Sequence, residues 1–404
     1  MPEAVEATIR AMAPPGDLAD RRWLVLASAV VSFFAVGVTF FAVPPLVPQL
    51  VDGFGLDHLL VGILMGSIAV PAVVFAIPLG SAVDHWPARA TGNAGLLLMA
   101  AGGTMFALAQ SYPALLAGRL VFGAGGLLLN LLLARLVTTA FAGRELSLAM
   151  GIFNSVYPAS MIVMFTLHPL LLRFAGWRGE LLALAALAAV ALPLNYCALP
   201  ASRHVDRAPG HRSRGRVTPA LAGLAAAWML FFGVYAAVFT FAPEWAGGDA
   251  GALRTVALIA WAALILAPAV GAAIDRVGYP SRWLAAALAL LALVLTAMAF
   301  DVITPAAAMI VVGAATAAAL TATYSLPGRL VPAAHVGFAF GVITAFSNLA
   351  TLAGPAATGA IRDAGASWRM PWAILAVAAL AGALIAAWIR QPRPPPSQGQ
   401  GSRG

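Results

Sequence analysis

From Trp23 to Val43, again from Ala285 to Phe300 and again from Trp372 to Trp388, the chain runs without a charged residue. A helix of about 20 such residues matches the roughly 30 Å hydrocarbon core of a bilayer. Soluble helices carry a polar face and do not read this way. The whole chain conforms: 62% of its 404 residues are hydrophobic and 9% are charged, where soluble domains carry about a quarter charged. Lipid is therefore the expected solvent, and the bilayer the first expected partner.

Punctuation by Pro, Gly and charge sets twelve spans, at approximately 23–43, 59–80, 91–110, 114–138, 146–169, 180–200, 218–242, 254–274, 282–300, 304–326, 335–358 and 371–390. All 23 basic residues are arginine, and the net charge is +8. With the N-terminus inside, Arg10, Arg21, Arg22, Arg89, Arg144, the group from Arg203 to Arg216, Arg276, Arg282, Arg329, Arg390, Arg393 and Arg403 fall in inner segments. Arg173, Arg178, Arg254, Arg362 and Arg369 fall in outer loops. This bias follows the positive-inside rule and places both termini in the cytoplasm. It points away from nucleic-acid binding. The lone Cys197 excludes an intrachain disulfide. The segment before Trp23 lacks the short apolar core of a cleaved signal, so the first span is expected to insert uncleaved.

The most polar interior stretch, Ser202 to Arg216, divides the chain. The expected organisation is a cytoplasmic tail at 1–22, a six-helix bundle at 23–200, a linker at 201–217, a second bundle at 218–390 and a disordered tail at 391–404. The halves repeat. Gly80-Ser-Ala-Val-Asp84 with Arg89 follows span two, and Gly271-Ala-Ala-Ile-Asp275 with Arg276 and Arg282 follows span eight. Spans three, six, nine and twelve are the plainest, which marks them as lipid-facing, because polar side chains in a bilayer turn to the bundle interior.

These features resemble the major facilitator superfamily from Arg21 to Arg390. Gly80, Asp84 and Arg89 resemble its cytoplasmic signature, with His85 where Arg is usual and Pro87 where Gly is usual; Gly271, Asp275, Arg276, Gly278 and Arg282 form the fuller second copy. Arg119 with Gly123, Gly125 and Gly126 resembles the family's fourth-helix Arg/Gly motif. The rhythm of VPPLVPQL and FAGWR is similar to the nitrate and cyanate permease-like branches, without the embedded arginines that nitrate porters carry in spans two and eight. Span five carries Tyr157-Pro158 where drug/proton antiporters carry Gly-Pro, and Gly354-Pro355 lies in span eleven instead. The resemblance implies an all-α membrane fold of two pseudo-symmetric six-helix bundles and alternating access about a central cavity.

Two residue sets follow. Asp84, Arg89, Asp275, Arg276 and Arg282 sit at inner helix ends, where charge pairs between halves can form in one access state and break in the other; their bland alternative is helix capping. Arg119 reads as the one deeply placed charge, a candidate for an anionic solute or for coupling, and Gly123, Gly126 and Asn130 share its face. Its bland alternative is snorkelling or capping of carbonyls. Trp228, Phe232, Tyr235 and Phe239 form a stripe on span seven, and Ser28, Ser32 and Thr39 one on span one. With Asn154, Tyr157, Thr323 and Asn348 they suit an amphipathic organic solute, although such stripes also serve plain helix packing.

No Asp or Glu lies in the middle of a span, so a coupling proton would use peripheral carboxylates or a histidine such as His168, read as a solvated interface residue before Pro169. No phosphate-cradling loop, metal-ligand spacing or convergent catalytic set stands out; no cofactor, metal or enzymatic activity is expected. The expected function is secondary transport of a small organic anion or amphipathic metabolite by a monomer in a bacterial-type inner membrane. Efflux of hydrophobic drugs is the alternative, and a non-transporting scaffold or sensor the distant one.

Overall fold

In lipid every backbone N–H and C=O must find its partner within the protein, and a chain this apolar has helix as its direct solution. The computed structural model describes residues 20–83, 86–141, 145–200, 216–332, 335–365 and 367–389, and every regular element among them is helical. The expected tail, linker and C-terminal segment, together with Asp84, Arg144 and Arg390, lie outside the described residues.

Span one covers Arg22–Phe54, with a 3₁₀ turn at Pro44–Leu46. Span two is a helix at His58–Gly66, a 3₁₀ turn at Ser67–Ala69 and a second helix at Val70–Val83. Spans three and four are Ala88–Leu108 and Tyr112–Ala140. Spans seven to twelve are Pro219–Trp245, Ala250–Val277, Pro280–Ala299, Pro305–Ser325, Val336–Ala364 and Arg369–Trp388.

Between them lies one helical stretch, Leu146–Ala198, of 53 residues. Straight, it would be about 80 Å long, more than twice the hydrocarbon core. Gly176 breaks it, with φ 65° and ψ 171°, a conformation that glycine adopts without the steric penalty of a Cβ. The chain reverses there: His168 and Glu180 would stand about 18 Å apart on a straight helix, yet their side chains meet at 2.9 Å. Spans five and six are thus 146–175 and 177–198, which makes twelve crossings among the described residues.

Span five therefore runs six residues past the expected end at 169. Pro169 does not stop it, because the apolar run through Leu172 keeps the helix in lipid, where proline is tolerated within spans. The solvated reading of His168 is overturned by the same geometry: the residue is 2% exposed.

An even number of crossings puts Arg22 and Trp388, the ends of the first and last spans, on one side, here the terminal face; the opposite side is the far face. The halves pack alike. Span one lies against five and seven against eleven, two against four and eight against ten, three against six and nine against twelve. Between halves, span two packs on eleven and span five on eight. Leu97, Met105, Leu293, Val377 and Leu384, on the plain spans three, nine and twelve, are exposed.

Candidate functional site

The two halves meet most closely near the far face. Gly62 and Gly359 lie so close to the backbone of the opposing span, at Pro355 and at His58 respectively, that a Cβ would overlap it; Gly66 faces Leu352 in the same way. Small residues let helices approach to backbone contact. Spans two and eleven are sealed along this line.

At its outer end the seal is ionic. His58 Nδ1 stands 2.6 Å from Asp363 Oδ1, and Nε2 stands 3.1 Å from Glu244 Oε2. Asp363 also accepts the backbone N–H of His58 at 3.0 Å and of Leu59 at 2.8 Å. A carboxylate of span eleven therefore caps the first turn of span two, where free N–H groups and the helix dipole favour an anion. Arg362 lies 3.9 Å from Glu244 and 5.0 Å over the Trp368 ring.

Below the seal runs an aromatic seam. Tyr157 of span five lies 5.0 Å from Phe41, which lies 5.3 Å from Phe239 of span seven. From there contacts of 5.0 to 6.0 Å lead through Tyr235 and Phe231 to Trp228, and Trp228 lies 5.9 Å from Tyr324 of span ten. The rings that join the halves, Phe40, Phe41 and Phe239, are buried, whereas Tyr157 and Tyr235 are half-buried and Tyr324 is 55% exposed. Phe231 and Trp228 are buried as well, so the accessible rings are Tyr324 at the terminal-face end and, in part, Tyr157 and Tyr235. Asn130 and Asn154 are exposed, and Asn348 is half-buried with its amide donating to the Thr344 carbonyl at 3.0 Å. Ser32 and Thr323 are fully buried, and their hydroxyls have no hydrogen-bond partner among the described residues.

Arg119 is placed differently. It is 1% exposed, and its guanidinium donates to the carbonyls of Thr39 at 3.1 Å, Met65 at 3.3 Å and Leu64 at 3.4 Å. These carbonyls flank the irregular turns of spans one and two, where the regular i to i−4 ladder lapses. The arginine supplies the donors that the interrupted helices lack.

A family model described as Major Facilitator Superfamily matches residues 29–253 and 244–404. The chain belongs to the Major Facilitator Superfamily. It is a secondary transporter that crosses the membrane many times. Solved superfamily structures share its fold. The inward open conformation of the xylose transporter XylE from E. coli aligns at TM-score 0.77 and 15% identity, over 92% of this chain and 97% of that one. A single-residue mutant of the nucleoside transporter NupG aligns at 0.76 and 14%, over 91% and 99%. A bacterial homolog to the human lysosomal transporter Spinster, inward-facing and unoccupied, aligns at 0.73 and 14%, over 91% and 95%. No curated protein sequence is matched.

Among the residues expected to gate a superfamily transporter, Asp275 and Arg276 are exposed at the terminal face, and Arg282 lies 4.5 Å over the Tyr279 ring. Arg89 stays within its own half, donating to the Leu199 carbonyl at 3.0 Å and lying 4.5 Å over Tyr196. Of the solute-contact set, Tyr157, Trp228, Tyr235 and Phe239 are brought into one seam, while Asn130 and Asn154 stand apart from it at exposed positions. Arg119 is not the single deep arginine: Arg135 lies within span four and is half-buried.

Sequence reasoning missed the His58, Glu244, Arg362 and Asp363 cluster. The available signal was a histidine and two acids at helix ends in a chain that is only 9% charged. Nothing local links residues 305 positions apart.

Proposed function

We propose that this transporter carries an amphipathic organic solute with an aromatic or flat apolar body, by alternating access, through a cavity lying between the aromatic seam and the terminal face. The observation that carries the reading is the seam itself: rings sealed at Phe41 and Phe239, a half-buried Tyr235 and an exposed Tyr324 at the terminal-face end, with the half-buried amide of Asn348 on span eleven. Aromatic walls with a few orienting polar groups are how pockets hold amphipathic ligands. The hydroxyls of Ser32 and Thr323, fully buried and without a partner among the described residues, are polar groups for a buried water to satisfy. Arg119, its donors engaged by three carbonyls, holds spans one and two instead of meeting the solute.

The positive-inside bias assigns the terminal face to the cytoplasm of a bacterial-type inner membrane. The structure is then inward-facing. Asp275 and Arg276, with Asp84, are the charges that pair when that face closes.

The test is a thermal-shift screen of the purified protein against aromatic amphipathic solutes, aliphatic carboxylates and neutral hydrophobic drugs. A ligand of the folded state at about 100 times its Kd adds about 2.7 kcal/mol of apparent stability. Aromatic amphipathic hits that Tyr235→Ala weakens about 3- to 10-fold, the worth of one ring contact, and that Tyr235→Phe retains are the expected outcome. Hits confined to aliphatic carboxylates sink the reading. Export of hydrophobic compounds is the second reading, favoured by the run of Trp228, Phe231 and Phe232, and hits among neutral drugs alone would select it.

A further inference from the structure

His58 stands between two carboxylates of the opposite half, one at each ring nitrogen. A neutral imidazole has a single N–H, so one of its nitrogens would present a lone pair to an ionised carboxylate. The geometry is satisfied when one more proton is present. Whether that proton sits on the imidazole or on Glu244 or Asp363, the three side chains together hold it in the closed arrangement.

The surroundings agree. Facing the triad are Arg362 of span eleven, 3.9 Å from Glu244, the N-capping Asp57 of span two and Tyr112 of span four, whose hydroxyl donates to the Leu60 carbonyl at 3.0 Å. His58, Glu244, Asp363 and Arg362 are neutral as a set with the extra proton and carry one uncompensated negative charge without it. Phe241 and Trp368 flank the imidazole, with centroids 6.1 and 5.8 Å away, and limit water around it. The side chains are part-exposed, His58 at 19%, Asp363 at 26% and Glu244 at 31%, so solvent screens the uncompensated charge in part and the close carboxylate contacts carry the preference for the proton.

We infer that His58, Glu244 and Asp363 form a proton-binding site that locks the far face, taking up one proton when spans two, seven and eleven close and releasing it when they part. The inference rests on the alternating-access reading. Opening leaves both carboxylates and Arg362 on one half and His58 on the other, so Glu244 keeps a cationic neighbour while His58 loses both acids. A state in which the histidine gains acidic partners binds the proton more tightly, and low pH therefore favours the closed far face. The transporter would meet its proton at the far side, before the cavity opens to the terminal side.

The experiment measures spin-label distances across the far face in full-length protein in lipid nanodiscs. Labels at Ser111→Cys and Val302→Cys, on opposite halves and both at exposed positions, are placed in a Cys197→Ser background. The expected result is a short distance at about pH 5 that gives way to a longer one by about pH 9. His58→Gln should abolish that dependence, and Glu244→Gln should move its midpoint down by about one pH unit. A wild-type distribution that does not change across that range overturns the proposal, as does a His58→Gln variant that titrates like wild type. Should His58→Gln fail to fold, Glu244→Gln and Asp363→Asn decide: midpoints left unmoved by both overturn it. Gly359→Leu separates the two readings. If it lengthens the distance while pH does nothing, the proton lock fails and alternating access stands; if no condition or variant moves the distance, both fail.

Discussion

A guanidinium removed from water is tolerated in a bilayer only where its donors are engaged, and Arg119 meets that condition with backbone carbonyls. Its loss should therefore register as a structural defect before it registers as a change of specificity. Arg119→Ala is expected to destabilise the protein by about 1.5–3 kcal/mol for each charge-assisted hydrogen bond that nothing replaces, measured by denaturant titration in detergent. It should lower transport of every substrate alike. Arg119→Lys should recover only part, because an ammonium is a point donor where the guanidinium is a fork. The buried pair of His168 and Glu180 makes a similar case: the two groups are 2% and 0% exposed and meet at 2.9 Å. Glu180→Leu, which leaves the buried histidine nitrogen without its hydrogen-bond partner, should cost about 1–3 kcal/mol. The double variant His168→Phe with Glu180→Leu should cost less, and the comparison in one unfolding assay checks it.

Elements close on one another here through glycine. Adding a side chain at Gly62 or Gly359 places carbon on the opposing backbone, which no rotamer change can relieve. Gly359→Leu should hold the far face apart and reduce transport at least roughly tenfold, about 1.4 kcal/mol in the balance of states, while leaving helix content by circular dichroism unchanged; the spin-label distance between Ser111→Cys and Val302→Cys should lengthen. The twelve spans are legible in the sequence because each is a local run, and the aromatic stripe of span seven is legible because helical periodicity is local too. The partners of Gly62, of Arg119 and of His58 are not. The first two are backbone atoms exposed by the packing and by 3₁₀ turns, which leave no side-chain pattern, and those of the third lie on two other helices, 186 and 305 residues away. Ending span five at Pro169 fails for a related reason: a proline reads as an end in water and as a tolerated interruption in lipid. Glu180 then looks peripheral, although the turn at Gly176 folds it against His168.

For the molecule as a whole, the halves are two similarly packed bodies that touch along spans two with eleven and five with eight. The charges of the terminal-face motifs should then bias a two-state equilibrium. Asp275→Asn weakens closure of that face and should raise the fraction of molecules open there, read as faster labelling of Asn130→Cys in a Cys197→Ser background, with no loss of unfolding stability. A change of about 1.4 kcal/mol in the balance would appear as about a tenfold shift in the ratio of states. A rate equal to that of the protein with Asp275 intact would remove this residue from the gate.

The far face also has little that projects. Spans three and four are joined across Ala109–Ser111, and spans five and six at Gly176. An antibody fragment raised against that side finds few self-contained loops to grip. The epitopes on offer are composites, assembled where span two of one half meets spans seven and eleven of the other. Such a binder would recognise an arrangement and not a segment. It would report the access state, and by holding the composite together it would inhibit.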